Sequence, residues 1–352
     1  MTLQNLLQKV DPKHSAFLVG NGINLYRNYL LDACQGCPQI ENGKKVNSKM
    51  KKNESWSGIL QEYCKKHNIK IDVTNANDLT FPEIACIIDL SSTSIRKKTT
   101  GPDAKYEQTV INTKFRHSLA EDLVKLNEQD PVHENFIYYA STKDIPVLTT
   151  NMDRLLSNGL EEKKISLTGD LYFKANKYYY WNYCYSNQTT PASNEGKLEL
   201  VQKFAVWHIH GSADYPDSIK IGLDDYINCT TQAKKMLSSP GKDKIALFAT
   251  NNENWVGRNT WLDIFFRRNL IILGLSLNSD EVFLRWLFIQ RAKYLKMKYP
   301  DKDNRPKAWY VHTDPSLNDK SPKGILFKAC GIELIHENKY CDIYKCFPPK
   351  LE

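Results

Sequence analysis

The sequence predicts an α/β protein built on a doubly wound, mostly parallel sheet with helices on both faces. Four short apolar runs carry that expectation: FLVGNGIN (Phe17 to Asn24), PVLTTNMD (Pro146 to Asp153), FAVWHIHG (Phe204 to Gly211) and NLIILGLS (Asn269 to Ser276). Continuous apolar runs of this length read as strands buried on both faces, as parallel strands are. Stretches with helical spacing separate them, and strand–helix alternation builds a parallel sheet. Each run also delivers Gly, Asn, Asp, His or Ser to its carboxyl end, the edge at which open α/β sheets bind ligands.

Taken in order, the first strand and its turn lead into a helix from Tyr26 to Ala33. A polar loop follows over Glu41 to Ser55. Ser55 then caps a helix that carries Trp56, Ile59, Leu60 and Tyr63 on one face. Pro82 opens a short helix through Ile84, Ile87 and Ile88. Ser91 to Gln108, with RKKTTGPD at its centre, reads as a linker. Helical periodicity returns from Val110 to Asn127 and from His133 to Ser141.

After the second strand comes an aromatic, Lys- and Asn-rich segment, Ile165 to Leu198. Such a segment either stacks on bases or forms a hairpin in which Tyr and Trp are good strand residues. Helices are expected over Tyr226 to Leu237 and Thr260 to Arg268. Past the fourth strand, Asn278, Ser279 and Asp280 stand at the cap of a helix carrying Val282, Phe283, Trp286, Leu287 and Ile289. Two last strands fall at Ala308 to His312 and Gly331 to Ile335.

Bulk properties set limits. The 352 residues carry a net charge of +8 that is spread along the chain, which suits nucleotides and makes nucleic acid contact an indirect expectation only. No apolar stretch is long enough for a membrane span, and MTLQNLLQKVDPKH lacks the features of a signal peptide. Nine cysteines at irregular spacing argue for reduced thiols and a cytoplasmic location. Cys34 and Cys37 form a single CxxC without the second pair that a zinc ribbon needs, and Cys341 and Cys346 are too remote to supply it.

The strand ends hold the candidate chemistry. Gly20 and Gly22 flank Asn21 in a GxG turn that either lets a pyrophosphate approach the backbone or is merely tight. Asn24 adds an amide. Thr149, Thr150, Asn151 and Asp153 put four hydrogen-bonding side chains at one strand end, although Asp153 also suits the cap of a helix starting at Arg154. Alternation places His208 and His210 on one side of their strand, so a metal pair enters consideration, but no third ligand is apparent. A core role for His208 and a proton-transfer role for His210 is the preferred division. Gly274 and Ser276 offer a second backbone approach and a hydroxyl.

Taken together, GNGIN, TTNMD, HIHG and ILGLS resemble, in this order, the sirtuin family's GAGxS turn, its QN/TN-x-D turn, its catalytic HG and its GTS-like turn. SWSGIL after the first motif and GLDDY after the third are similar to the sirtuin-like NAD-consuming effectors of bacterial antiphage defence. The paired CxxC ribbon of the deacylases and their proline–arginine loop are absent, and Asn24 stands where Ser is common. The 59 positions from Asn151 to His210 exceed the deacylase spacing.

The resemblance implies one Rossmann-like domain over residues 1–352, with insertions near 25–140 (helical) and 165–200, and NAD as substrate without a metal. Gly20, Gly22 and Asn24 would hold the pyrophosphate and a ribose, with Asn21, Thr150 and Gly274 completing the nucleotide contacts and Ser276 on the adenosine side. Asn151 would position ribose and water, Asp153 would fix its turn or meet the nicotinamide, and His210 would be the base. The implied activity is NAD hydrolysis; a non-hydrolytic NAD or ADP-ribose sensor and an NAD-dependent deacylase are the alternatives. A toxic NAD hydrolase needs restraint, so a homo-oligomer or a companion subunit (an ATPase, an Argonaute-like or a nucleotide-processing protein) is expected.

Overall fold

Strand β1 (Ser15–Val19) is buried along its whole length. Ala16 and Leu18 face one core while Phe17 and Val19 face the other, which is what a strand covered on both sides requires. In this computed structural model, which describes residues 1–25, 56–71, 79–93, 115–125, 131–164, 181–188 and 203–349, β1 lies at the middle of an eight-stranded sheet. Its companions are β2 (Val147–Thr149), β3 (Glu161–Lys164), β4 (Tyr183–Ser186), β5 (Val206–His208), β6 (Asn269–Leu273), β7 (Ala308–His312) and β8 (Ile332–His336).

The spatial order is β3-β4-β5-β2-β1-β6-β7-β8. The six strands from β5 to β8 are mutually parallel, and β3 and β4 add an antiparallel edge. Numbered among themselves, the parallel strands run 3-2-1-4-5-6, the order of dinucleotide-binding sheets. The strand order reverses between β1 and β6, so the ligand crevice is expected at their carboxyl ends.

Helices cover both faces. On one side, the core holds residues of α6 (Leu223–Ser238), α7 (Trp261–Arg267), α8 (Val282–Lys298) and α9 (Pro322–Ala329). On the other it holds residues of α1 (Leu3–Lys9), α5 (Pro131–Thr142) and α10 (Tyr340–Tyr344). A third core belongs to a helical cap made of α2 (Trp56–Lys66), α3 (Phe81–Thr93) and α4 (residues 115–124). This cap sits on the strand-end loops through Met152, Ala213, Ile219 and Ile221. Arg116 of α4 donates to the Asp225 carboxylate (2.8 Å), whose other oxygen accepts from the Ile221 and Gly222 amides at the start of α6. Among the described residues no helix is long and apolar enough to cross a membrane.

Several expectations are corrected. The strands are shorter than the apolar runs, which continue into the turns. No helix starts at Arg154: residues 153–159 form successive turns, and Asp153 accepts from the Leu155 amide. Ser91 to Thr93 belong to α3 rather than to a linker. The cap position of α8 is Glu281, which makes no side-chain cap bond, rather than Asn278, Ser279 or Asp280. In the aromatic segment, Trp181 is core, stacked on Trp261 at 5.2 Å, and Tyr183–Ser186 is a strand, so the hairpin reading holds for the described part. Residues 26–55, 94–114, 165–180 and 189–202, which include Cys34, Cys37 and Ser55, lie outside the described residues.

Candidate active site

The two glycine-bearing turns meet at the point where the strand order reverses. The Gly20 amide donates to Leu273 O and the Gly22 amide to Gly274 O (2.7 Å), and Gly274 adopts a positive φ of 59°. A Cβ on Gly22 would fall 2.4 Å from Gly274 Cα and 2.1 Å from the Tyr340 hydroxyl. Backbones this close require glycine, and the Tyr340 and Tyr344 hydroxyls lie against the same two turns.

Beside them lies a polar cluster organised by Asn24. Its Nδ2 donates to Asn21 Oδ1 and to Asp153 Oδ2, both at 2.9 Å. Its Oδ1 accepts from His133 Nε2 (2.9 Å) and more distantly from Asn151 Nδ2 (3.5 Å). All four bonding positions of the amide are used, which fixes its orientation. Sequence reading gave Asn24 a phosphate or ribose contact; the structure ties its side chain to the cluster around Asn151 and Asp153. Asp153 is 3 % exposed, and burial drives its carboxyl pKa up against the bonds from Leu155 and Asn24. Asn151 Oδ1 is buried and accepts no hydrogen bond.

The two histidines diverge. Strand β5 ends at His208, so alternation no longer governs His210, and the expected common side is not found. His208 Nδ1 lies 2.7 Å from the Asn151 carbonyl oxygen. A carbonyl only accepts, so Nδ1 carries the proton and Nε2 accepts from the Ser157 hydroxyl (2.9 Å). Ser157 is in turn bonded by Arg154, which pairs with Asp214 and lies over the Tyr185 ring. His208 thus anchors the backbone of Asn151. His210 instead faces Tyr226, edge to face at 5.6 Å, and Glu281, whose Oε2 is 3.9 Å from His210 Nε2. Among the described residues no three His, Cys, Asp or Glu side chains are grouped as metal ligands.

Burial pushes both imidazoles down to about 4, so both are neutral near pH 7. An unfolded chain binds protons at these positions from about pH 6.5 downward while the native fold does not. The stability that depends on the neutral rings is therefore complete above about pH 6.5 and is lost as pH falls toward 4. His208→Gln is expected to lower the melting temperature at pH 7 and to flatten its fall between pH 6.5 and 4. The variant leaves the Asn151 carbonyl or the Ser157 hydroxyl poorly paired, at about 1–3 kcal/mol. Thermal melts across that pH range check it, and an unchanged melting profile would remove His208 from the support of Asn151.

A cavity of about 90 Å³ opens at His210, lined by Phe81, Pro82, Thr150, Met152, His210, Tyr226, Ser276, Asp280 and Glu281. Thr150 and Met152 border it while Asn151 between them turns toward Asn24. Ser276, expected on the adenosine side, lies on the same cavity as His210. Burial, with help from Asp280, pushes the Glu281 carboxyl up to about 8. Sequence reading missed His133, Asp280 and Glu281 as site residues. Tyr226 was visible in GLDDY, whose first turn of α6 delivers its ring to His210.

No curated protein matches the chain. The profile of the SIR2-like domain matches residues 146–335, more than half of the chain. The match runs from β2 into β8 and takes in Asn151, His210 and Gly274, to which the turn of β1 is bonded. With its strand order and the polar ends of its central strands, the chain belongs to the SIR2-like domain family.

Proposed function

We propose that this protein binds NAD at the carboxyl edge of its sheet and hydrolyses it to nicotinamide and ADP-ribose. SIR2-like domains are usually NAD-using enzymes, and 3-2-1-4-5-6 is a strand order that sheets binding dinucleotides use. The observation that carries the reading is a buried, unbonded polar atom, Asn151 Oδ1, on the strand end that adjoins the one bearing the neutral His210. An unpaired polar atom in a protein interior costs about 1–3 kcal/mol, and such groups concentrate where a ligand is handled.

In the proposed reaction the bond from the ribose anomeric carbon to the nicotinamide nitrogen breaks, and its electron pair leaves with neutral nicotinamide. The leaving group therefore needs no acid. Water bonds to the anomeric carbon and must lose a proton, which neutral His210 accepts directly or through a ribose hydroxyl. Asn151, a neutral amide held by His208 at its carbonyl and by Asn24 at its side chain, would orient ribose and water without placing a charge beside the cationic carbon. The glycine turns of β1 and β6 would hold the pyrophosphate, with Thr150 and Ser276 offering hydroxyls.

Purified protein incubated with NAD tests this. Free nicotinamide without an acyl-peptide supports hydrolysis, and release that requires an acyl-peptide replaces it with deacylation. Binding without release under any condition, including with cell extract from the source, replaces it with a sensor. A chelator is expected to leave the rate unchanged, because His208 and His210 address different partners.

We further infer that the activity serves a restrained effector of antiphage defence in the cytoplasm, held in check by self-association or by a companion subunit. The support is the resemblance of GNGIN–SWSGIL and HG–GLDDY to that branch, together with the toxicity of unrestrained NAD loss. The described cysteines are all free thiols, in keeping with a reducing compartment.

A further inference from the structure

Glu281 occupies the cap position of α8, yet its side chain makes no bond to its own helix. The carboxyl turns into the cavity, where Oε2 is shielded from solvent and has no hydrogen-bond partner. Across the cavity His210 Nε2 lies 3.9 Å away, likewise buried and unpartnered. His210 itself is only 3 % exposed.

The titratable groups facing this pair are few. The loop before α8 contributes Asp280, α6 contributes the Tyr226 hydroxyl, and the turn after β5 contributes His210. The cap contributes Phe81 and Pro82, and the β2 turn contributes Thr150 and Met152. Among the described residues no Lys or Arg lines the cavity to neutralise Glu281. Among the described residues lining the cavity, the imidazole is thus the one basic group that faces the Glu281 carboxyl.

We propose that Glu281 is a positioning residue for His210: its Oε2 receives the Nε2–H of the imidazole while the other ring nitrogen takes a proton from the attacking water. The role rests on the NAD-hydrolase reading above. Atoms balance without a further reactant: the water oxygen bonds to the anomeric carbon, nicotinamide leaves with the electron pair, and the water proton passes to His210 and then to solvent. A shift of about 1 Å brings the pair to the usual length of a charge-assisted hydrogen bond. The carboxylate then fixes the tautomer of the ring and stabilises the imidazolium, as a carboxylate does in other histidine-based sites.

Burial holds Glu281 protonated until about pH 8, so the carboxylate form gains population as pH rises from 7 to 9. Turnover should rise with it, and Glu281→Gln should remove the rise. The test pairs two measurements on the full chain. In the first, ring-nitrogen NMR shifts of His210, assigned with His210→Gln, are followed from pH 5 to 10 in wild type and Glu281→Gln. An inflection between about pH 7 and 9 is expected in wild type and not in the variant.

The second measurement is nicotinamide release. Glu281→Gln is expected to lower kcat about tenfold or more, a fraction of the about 10²–10⁴-fold that a general base supplies, with KM within about threefold. Its rate should be flat from pH 7 to 9. If Glu281→Gln fails to fold, Glu281→Asp, which keeps the charge and shortens the reach, is expected to retain the inflection with a lowered kcat. Identical His210 titrations in wild type and variant would overturn the pairing, whatever NAD does. A coupled titration with no nicotinamide release from wild type supports the pairing and counts against the hydrolase reading.

Discussion

Asn151→Ala is expected to slow nicotinamide release by about 10²–10³-fold, the loss seen when one preorganised polar group is removed from a reacting centre. It should do so with little change in melting temperature. The amide oxygen of Asn151 accepts no bond, and its nitrogen makes only the 3.5 Å contact to Asn24. Truncation removes one costly orphan and one weak bond, and Asn24 Oδ1 keeps its 2.9 Å bond from His133. The backbone of residue 151 stays tied to His208. NAD affinity, measured by calorimetry, should fall by less than the rate. Wild-type turnover in Asn151→Ala would sink the proposed mechanism; a fall in melting temperature as large as that of His208→Gln would make the residue structural.

Gly22→Ala should abolish NAD binding and destabilise the fold together. The added methyl would lie 2.1 Å from the Tyr340 hydroxyl, 2.4 Å from Gly274 Cα and 2.8 Å from Gly274 O. The tyrosine can swing away, but the Gly274 backbone is bonded to Gly22 and cannot. Forcing the two turns apart should cost about 1–3 kcal/mol or more, as overpacked interiors do. Gly331→Ala is the control. Its φ is +69° with nothing within 4 Å of the added carbon, so only backbone strain of about 1–2 kcal/mol is expected, with NAD affinity kept. Equal loss of affinity in both variants would mean that the turn of β1 has no special part in binding.

The parallel core was legible because strands buried on both faces need uninterrupted apolar residues, and Phe17–Val19, Val147–Leu148 and Leu270–Leu273 supply them. Strand β3 was not. Its sequence, EEKK, has no apolar signal; it pairs only with β4 at the edge of the sheet, where charged residues are tolerated and discourage further pairing. The division of labour between His208 and His210 was legible as a preference, but its geometry was not, since nothing local shows that β5 stops at His208. His133 was read as helix material, and Glu281 was passed over between the cap residues and the helix. Their importance lies in contacts across 109 and 71 positions of chain, which periodicity does not encode.

The cap and the strand-end loops share one hydrophobic core: Met152, next to Asn151, and Ala213, just beyond His210, are packed among Leu60, Ile84, Ile88, Leu119 and Leu123. Phe81 and Pro82 of the same cap roof the cavity. A molecule held beneath them is expected to leave faster when that packing loosens, so its residence time should depend on the opening of the helices as well as on the polar contacts that hold it. Enlarging or trimming Ile88, which shares that core and does not line the cavity, should then alter how long product stays more than how the bond is broken. In amide exchange, the protection of Ala213, whose N–H is bonded to Met152 O, would rise and fall with that of the cap helices as one cooperative unit.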